Sequence, residues 1–298
     1  MRSLWVVTAA VLVTVLWSTS YIINKFAFMD GIGPFMLSGL RYLTAVLTLW
    51  ILQALNYKWG KDREVHAPKI PFLSCLVLGI LGFLVAQGLQ YGGQSLLTPT
   101  QSSLLLSIGN TFFVVLMDLL WLREIRSLTI LAGIAAAMAG TLLYYYPWDF
   151  EESSVYGIGL MMISSIGYAA HLTMTRYLLH TKKVRSADLV TIPMFIGALG
   201  MILIGLITEG VPVITGKLIL ILLWLGSVNG ALAFSLWAWT QKHLSAYKSN
   251  LINNLMLLEV VLLDIVFFSR SLTPLQIIGL TVTGAAILAV QLTRQRQT

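Results

Sequence analysis

The chain has 298 residues, of which 57% are hydrophobic and only 10% charged, and its mean hydropathy is +0.84. A soluble protein carries about 25% charged residues, so there is too little polar surface here to cover a water-soluble globule. The net charge of +7 does not point to nucleic acid, because the basic residues lie in short loops between apolar runs and form no basic helix or arm.

Crossing roughly 30 Å of hydrocarbon takes about 20 mainly apolar residues in a helix, since unpaired backbone groups in lipid cost several kcal/mol each. Ten such runs follow one another, at 4–26, 34–56, 70–92, 97–121, 128–146, 155–179, 189–208, 217–241, 247–269 and 274–292. The first passes through Trp17–Phe28 without a small-residue cleavage site, which makes it an uncleaved span rather than a signal peptide. Breakers separate the runs: Asp30-Gly31-Ile32-Gly33-Pro34, Pro68 with Pro71, Pro99, Pro147, Gly210 with Pro212, and Pro274. Cys75, the single cysteine, falls inside the third run, so no disulfide forms within one chain.

Ten spans put both termini on one side. With the termini inside, the inner segments hold Arg2, Lys58, Lys61, Arg63, Lys69, Arg123, Arg126, Lys182, Lys183, Arg185, Lys242, Lys248, Arg294 and Arg296, and the outer loops only Lys217 and Arg270. Fourteen against two places the termini in the cytoplasm under the positive-inside rule. The expectation is a multi-pass protein of the cell (inner) membrane.

The stretch Gln94–Gly140 is written twice. A shift of 146 carries Ser103 onto Ser249, Leu105 onto Leu251, Val114-Val115-Leu116 onto Val260-Val261-Leu262, Asp118 onto Asp264, and Gly133 onto Gly279. Each half then has five spans, an odd number, so the second copy enters the membrane from the opposite side. The fold expected is an all-α polytopic membrane protein, ten transmembrane helices as an inverted 5+5 repeat, with residues 1–147 and 148–298 as the two units. Substrate sites in such proteins lie near the midplane where the halves meet. Gly88/Gly92, Gly226/Gly230, Gly133/Gly140 and Gly279/Ala285 mark close helix approaches. Spans 5 and 10 carry almost no polar side chains and read as scaffold or dimer faces, so a homodimer through them is an open expectation.

These features resemble the EamA family of the drug/metabolite transporter superfamily over nearly the whole chain. The pattern runs through Leu16-Trp17-Ser18-Thr19-Ser20-Tyr21 with Lys25, Pro34 and Leu40-Arg41-Tyr42, Gln90-Tyr91, Ser102-Ser103, Glu124, the Gly133–Gly140 helix, and Leu272-Thr273-Pro274-Leu275-Gln276-Ile277-Ile278-Gly279. Two departures stand out. Arg270 takes the place that mirrors Glu124, and Thr111 and Leu257 stand near where such proteins usually carry a proline in spans 4 and 9. The resemblance implies a ten-helix secondary carrier, often an exporter of amino acids or related small metabolites.

Ionisable groups inside a bilayer cost at least about 2.5–3.5 kcal/mol each on insertion scales, so they are functional candidates. Six are present: Lys25, Arg41, Asp118, Arg176, Glu259 and Asp264. The repeat suggests two charge locks, Lys25 with Asp264 outside and Arg176 with Asp118 inside, one opening as the other closes; snorkelling of all four to headgroups is the plainer alternative. Glu259 lies near the midplane, where it is either protonated or ionised against a cation, hence a proton-coupling group, an amine receptor or a structural hydrogen-bonding group. Asn250, Asn253 and Asp264 share a stripe from which Glu259 diverges by about 120–140° at the pitch of an α-helix. Ser103, Ser107, Asn110 and Asp118 occupy the matching stripe of span 4.

Further mid-depth candidates are Trp17, Tyr21, Gln87, Gln90, Tyr91, Tyr168, His171 and Asn229, each of which could equally be packing. Aromatic rings with a few amides suit a small zwitterion or an organic cation. His66, His180 and His243 fall near loops, no two histidines are spaced as metal ligands, and no metal site or cofactor is expected. Gly216-Lys217 lacks the rest of a phosphate-binding loop, and no nucleophile–base pair stands out, so an ATP-driven pump and an enzyme are both disfavoured. The reading is a secondary transporter exporting amino acids or related metabolites by alternating access. The alternative is a proton-coupled carrier of organic cations using Glu259, and the remote one a channel or membrane scaffold.

Overall fold

The structure, a computed structural model, describes residues 2–59, 70–97, 99–122, 128–144, 146–148, 154–181, 188–268 and 272–293. Within them the chain forms ten helical rods: α1 (Arg2–Met29), α2 (Pro34–Trp59), α3 (Phe72–Leu96), α4 (99–122), α5 (Leu128–Tyr144), α6 (Ser154–Thr181), α7 (Asp188–Thr208), α8 (Gly216–Thr240), α9 (246–268) and α10 (Pro274–Thr293). Among the described residues seven are long and apolar enough to cross a membrane, and the apolar parts of α5, α9 and α10 are shorter. Asp264, Asn250 and His180 lie on these helices, but their side chains are outside the described residues. So are Glu124, Arg270, His66 and most of the loop residues that orient the chain.

Helix ends form where local chemistry requires them. Pro34 and Pro274 open α2 and α10, positions where a missing N–H costs nothing. The first free N–H groups of α2 are taken by a residue far along the chain: Glu209 accepts from Phe35 N and Met36 N, each at 2.8 Å. That carboxylate complements the positive end of the helix dipole. Gly210 closes α7 at φ 81°, its N–H reaching back to Gly205 O at 3.0 Å, a conformation that costs a side-chain-bearing residue most.

Two helices are locally underwound in the same way. Residues Ile80–Gly88 of α3 and Trp224–Leu232 of α8 are nine-residue π-helical segments, offset by 144 positions. The packing pairs are also closed under exchange of halves. α1 packs on α8 and α9 as α6 packs on α3 and α4; α2 packs on α8 as α7 packs on α3; and α2–α7, α4–α9 and α5–α10 each pair with their own mate. At the α5–α10 crossing the backbones touch, since a Cβ on Gly279 would lie 2.6 Å from Gly140 O and one on Gly140 would lie 2.8 Å from Gly279 O. The glycines of these helices therefore serve a contact within one chain.

In α9 the helix breaks at Asn254, between Ala246–Asn253 and Leu255–Phe268, without any proline. Asn254 Nδ2 donates to Thr111 Oγ1 of α4 at 2.7 Å, so at the break an amide is stitched across the two halves.

Candidate functional site

Every helix except α5 and α10 contributes to a central cavity with an empty volume of about 1130 Å³, solvent at its mouth included. One wall is aromatic. Trp17 of α1 lies 4.9 Å from Phe234 and 5.2 Å from Trp237 of α8, ring centre to ring centre. Phe234 continues to Tyr42 at 5.7 Å and Phe83 at 5.6 Å, and Phe83 meets His171 of α6 edge-on at 5.7 Å. The π-helical segment of α3 turns Phe83 and Gln87 to the cavity, and segments of this kind recur at functional sites.

A polar group of side chains adjoins this wall through Tyr42. Arg41 of α2, 4% exposed, donates from Nη1 to the Tyr91 hydroxyl and lies over the rings of Tyr42 and Tyr91, with Cζ 5.2 and 5.7 Å from their centres. Tyr42 donates to Gln87 Oε1 at 2.8 Å, and Asn24 donates to Gln94 Oε1 at 3.1 Å. Several buried polar atoms at the cavity have no protein partner, among them Arg41 Nε, Gln94 Nε2, Ser107 Oγ, Asn110 Oδ1 and the Tyr168 hydroxyl. Buried polar atoms are normally satisfied, so this clustering marks a space that water or a ligand fills.

Of the side chains singled out in the sequence, Trp17, Tyr21, Gln87, Gln90, Tyr91, Ser107, Asn110, Tyr168, His171 and Asn253 line this cavity. Asn229 and Glu259 do not. Asn229 is fully buried and donates to Thr19 Oγ1 at 3.1 Å and Ser20 Oγ at 2.9 Å, while its carbonyl accepts from Trp17 Nε1 at 3.0 Å, joining α8 to α1. Glu259 joins α9 to α1, accepting from Thr14 Oγ1 and Ser18 Oγ at 2.8 Å each. Among the charges, Lys25 is exposed, Asp118 is buried at the start of the π-helical end of α4, and buried Arg176 donates to the backbone oxygen of Gln241, the residue just after α8. The cavity also takes in Phe83, Phe234 and Trp237, which nothing in the sequence separates from lipid-facing or core aromatics, and Arg41, whose charge inside an apolar run was the available signal.

A bundle of two matching five-helix sets around a central polar chamber is the architecture of a solute transporter. The model of the EamA-like transporter family matches residues 4–146 and again 155–292, and the chain belongs to that family, within the drug/metabolite transporter superfamily. An "Uncharacterized transporter" of Archaeoglobus fulgidus is 24% identical over 177 residues, a match spanning 59% of this chain and 58% of that relative. A protein of known crystal structure superposes with a TM-score of 0.80 at 17% identity, over 98% of this chain and 97% of that one, which establishes the shared fold. The chain is therefore a multi-pass membrane protein of this transporter family.

Proposed function

We propose that the chain is a secondary carrier that exports amino acids or related small metabolites across a bacterial inner membrane by alternating access. Residues 1–147 and 148–298 would form two inverted units, with both termini cytoplasmic. The observation that carries the reading is the cavity between helices of both halves, lined by aromatic rings and by amides with unsatisfied atoms. Reconstitution into proteoliposomes loaded with labelled amino acids tests it. Saturable exchange, reduced about ten-fold or more in Trp17→Ala as expected for loss of a buried aromatic contact, supports it; flux that rises linearly with concentration would indicate a channel instead.

A proton-coupled mode is supported by the setting of Glu259. Thr14 Oγ1 also lies 2.7 Å from Val11 O, and Ser18 Oγ 2.9 Å from Thr14 O, so each single hydroxyl proton faces two acceptors. Ionised, Glu259 draws both protons; protonated, it donates to one hydroxyl, which turns back to its backbone carbonyl. Both forms fit the same heavy-atom positions. A cation substrate held by Glu259 is less well supported, because the carboxylate is not on the cavity wall. If Glu259 couples protons, Glu259→Gln transports without response to a pH gradient; an unchanged response assigns the residue to structure.

The locks proposed for Lys25 with Asp264 and for Arg176 with Asp118 are tested by charge swaps, and harmless single neutralisations would reject them. A homodimer through α5 and α10 would have to use their outward faces, where Leu142 and Ile277 are exposed, because the glycine faces oppose each other.

A further inference from the structure

Arg41 is a buried guanidinium deep in an apolar helix. Among the described residues no carboxylate pairs with it. Glu209 caps α2 one and a half turns away, and Glu259 is held by α1. Of the described residues that line the cavity, Arg41 carries the one formal charge. Its surroundings stabilise the cation by ring faces rather than by an anion: Tyr42 and Tyr91 flank it, and the Tyr91 hydroxyl accepts from Nη1.

That bond occupies one end of the guanidinium and leaves the Nε edge, whose N–H has no partner. An arginine edge presents two parallel N–H groups with the spacing of the two oxygens of a carboxylate or phosphate. One turn beyond Tyr91 on α3, Gln94 is a second polar side chain of this group, with its amide oxygen held by Asn24 and its amide beside the Tyr21 hydroxyl. Asn24 Oδ1 beside it is an acceptor without a partner, so what distinguishes this end of the cavity is the charge of Arg41.

The fold does not demand the charge. In the second half the helix equivalent to α2 is α7, and it carries no charged residue after Asp188. Nor is Arg41 free to swing to the headgroups. It lies seven residues inside α2, and its backbone is pinned by α8, where a Cβ on Gly226 would come within 2.8 Å of Arg41 O. A cation fixed inside the bilayer, unmatched by symmetry and without a carboxylate among the described residues, is suited to an anion brought by a ligand.

Building on the transporter reading, we infer that the substrate carries an anionic head, a carboxylate or phosphate-type group, held by the Nε edge of Arg41, with its apolar or aromatic body against the Trp17–Phe234–Phe83 wall. Amino acids enter carboxylate first, and simple amines and neutral amides are poor substrates.

The test uses the full chain, purified and reconstituted, and four probes sharing one ring: phenylacetate, phenylacetamide, phenethylamine and phenylphosphonate. Binding is read at neutral pH by thermal shift and by competition in the exchange assay. The expected result is that an anionic member binds about ten-fold or more tightly than the amide and the amine, the order of one charge-assisted pair. The carboxylate–phosphonate comparison says which head is preferred. In Arg41→Gln the preference vanishes, and in Arg41→Lys part of it remains, since charge is kept and the fork is lost. Lys217→Gln, which removes an exposed ion pair with Asp30 away from the cavity, leaves it intact. The probe series on the unaltered protein decides the matter even if Arg41→Gln does not fold. Equal binding of all heads, preference for the amine, or no binding of either anion overturns the inference. Saturable exchange of some other, non-anionic solute alongside that result would leave the transporter reading standing.

Discussion

Asn229 discloses little of its setting in the linear chain: one amide in an apolar run, as plausible a ligand group as any other. In the structure its Nδ2 bridges Thr19 and Ser20 while its backbone carbonyl accepts from Trp17, so it fixes the cavity's aromatic wall from behind. Replacing it with Ala removes two donors to buried hydroxyls, and a loss of about 1–3 kcal/mol is expected, measured as a lower unfolding midpoint in detergent. Glu209 is the same kind of case. It was unremarkable as a loop-edge acid, yet it caps a helix 174 residues away in sequence. Glu209→Gln keeps the shape and removes the charge at the α2 terminus, at an expected cost of about 0.5–2 kcal/mol by the same measurement. Single residues were legible in kind, as polar groups inside lipid-length runs, but not in partner, because partners come from helices far apart in sequence.

At the scale of the element the chain is more readable. Composition, breakers and length mark all ten helices, since lipid forces backbone bonds inside each segment and leaves few other solutions. What stays hidden is deviation within a helix. The two π-helical segments carry no motif, and the break in α9 occurs at an asparagine. The glycines are an intermediate case. Their spacing announces close packing, while the identity of the neighbour, α10 for α5 and α2 for α8, depends on assembly. Gly279→Leu should separate α5 from α10, because even a lone Cβ at 2.6 Å from Gly140 O forces a backbone shift. A destabilisation of about 1–3 kcal/mol is expected, seen as earlier thermal aggregation, with the cavity probes still bound by the surviving fraction.

For the whole molecule, the prediction concerns sidedness. Cys75 is the single cysteine and is buried, so introduced cysteines can be labelled on a quiet background. Asp62→Cys should react from the cytoplasmic face and Phe150→Cys from the opposite one; reaction from the same face would remove the inverted arrangement and the chamber between the halves. The sequence alone determined that this chain lives in lipid, that it holds ten helices and that half of it repeats, because hydrophobic length and recurrence are properties of single segments. The tertiary structure decided which polar groups share the chamber. Arg41 could be counted as a charge in an apolar run, but that it meets Tyr91 and faces the cavity follows from eight helices converging, and no local pattern encodes where separate helices will meet.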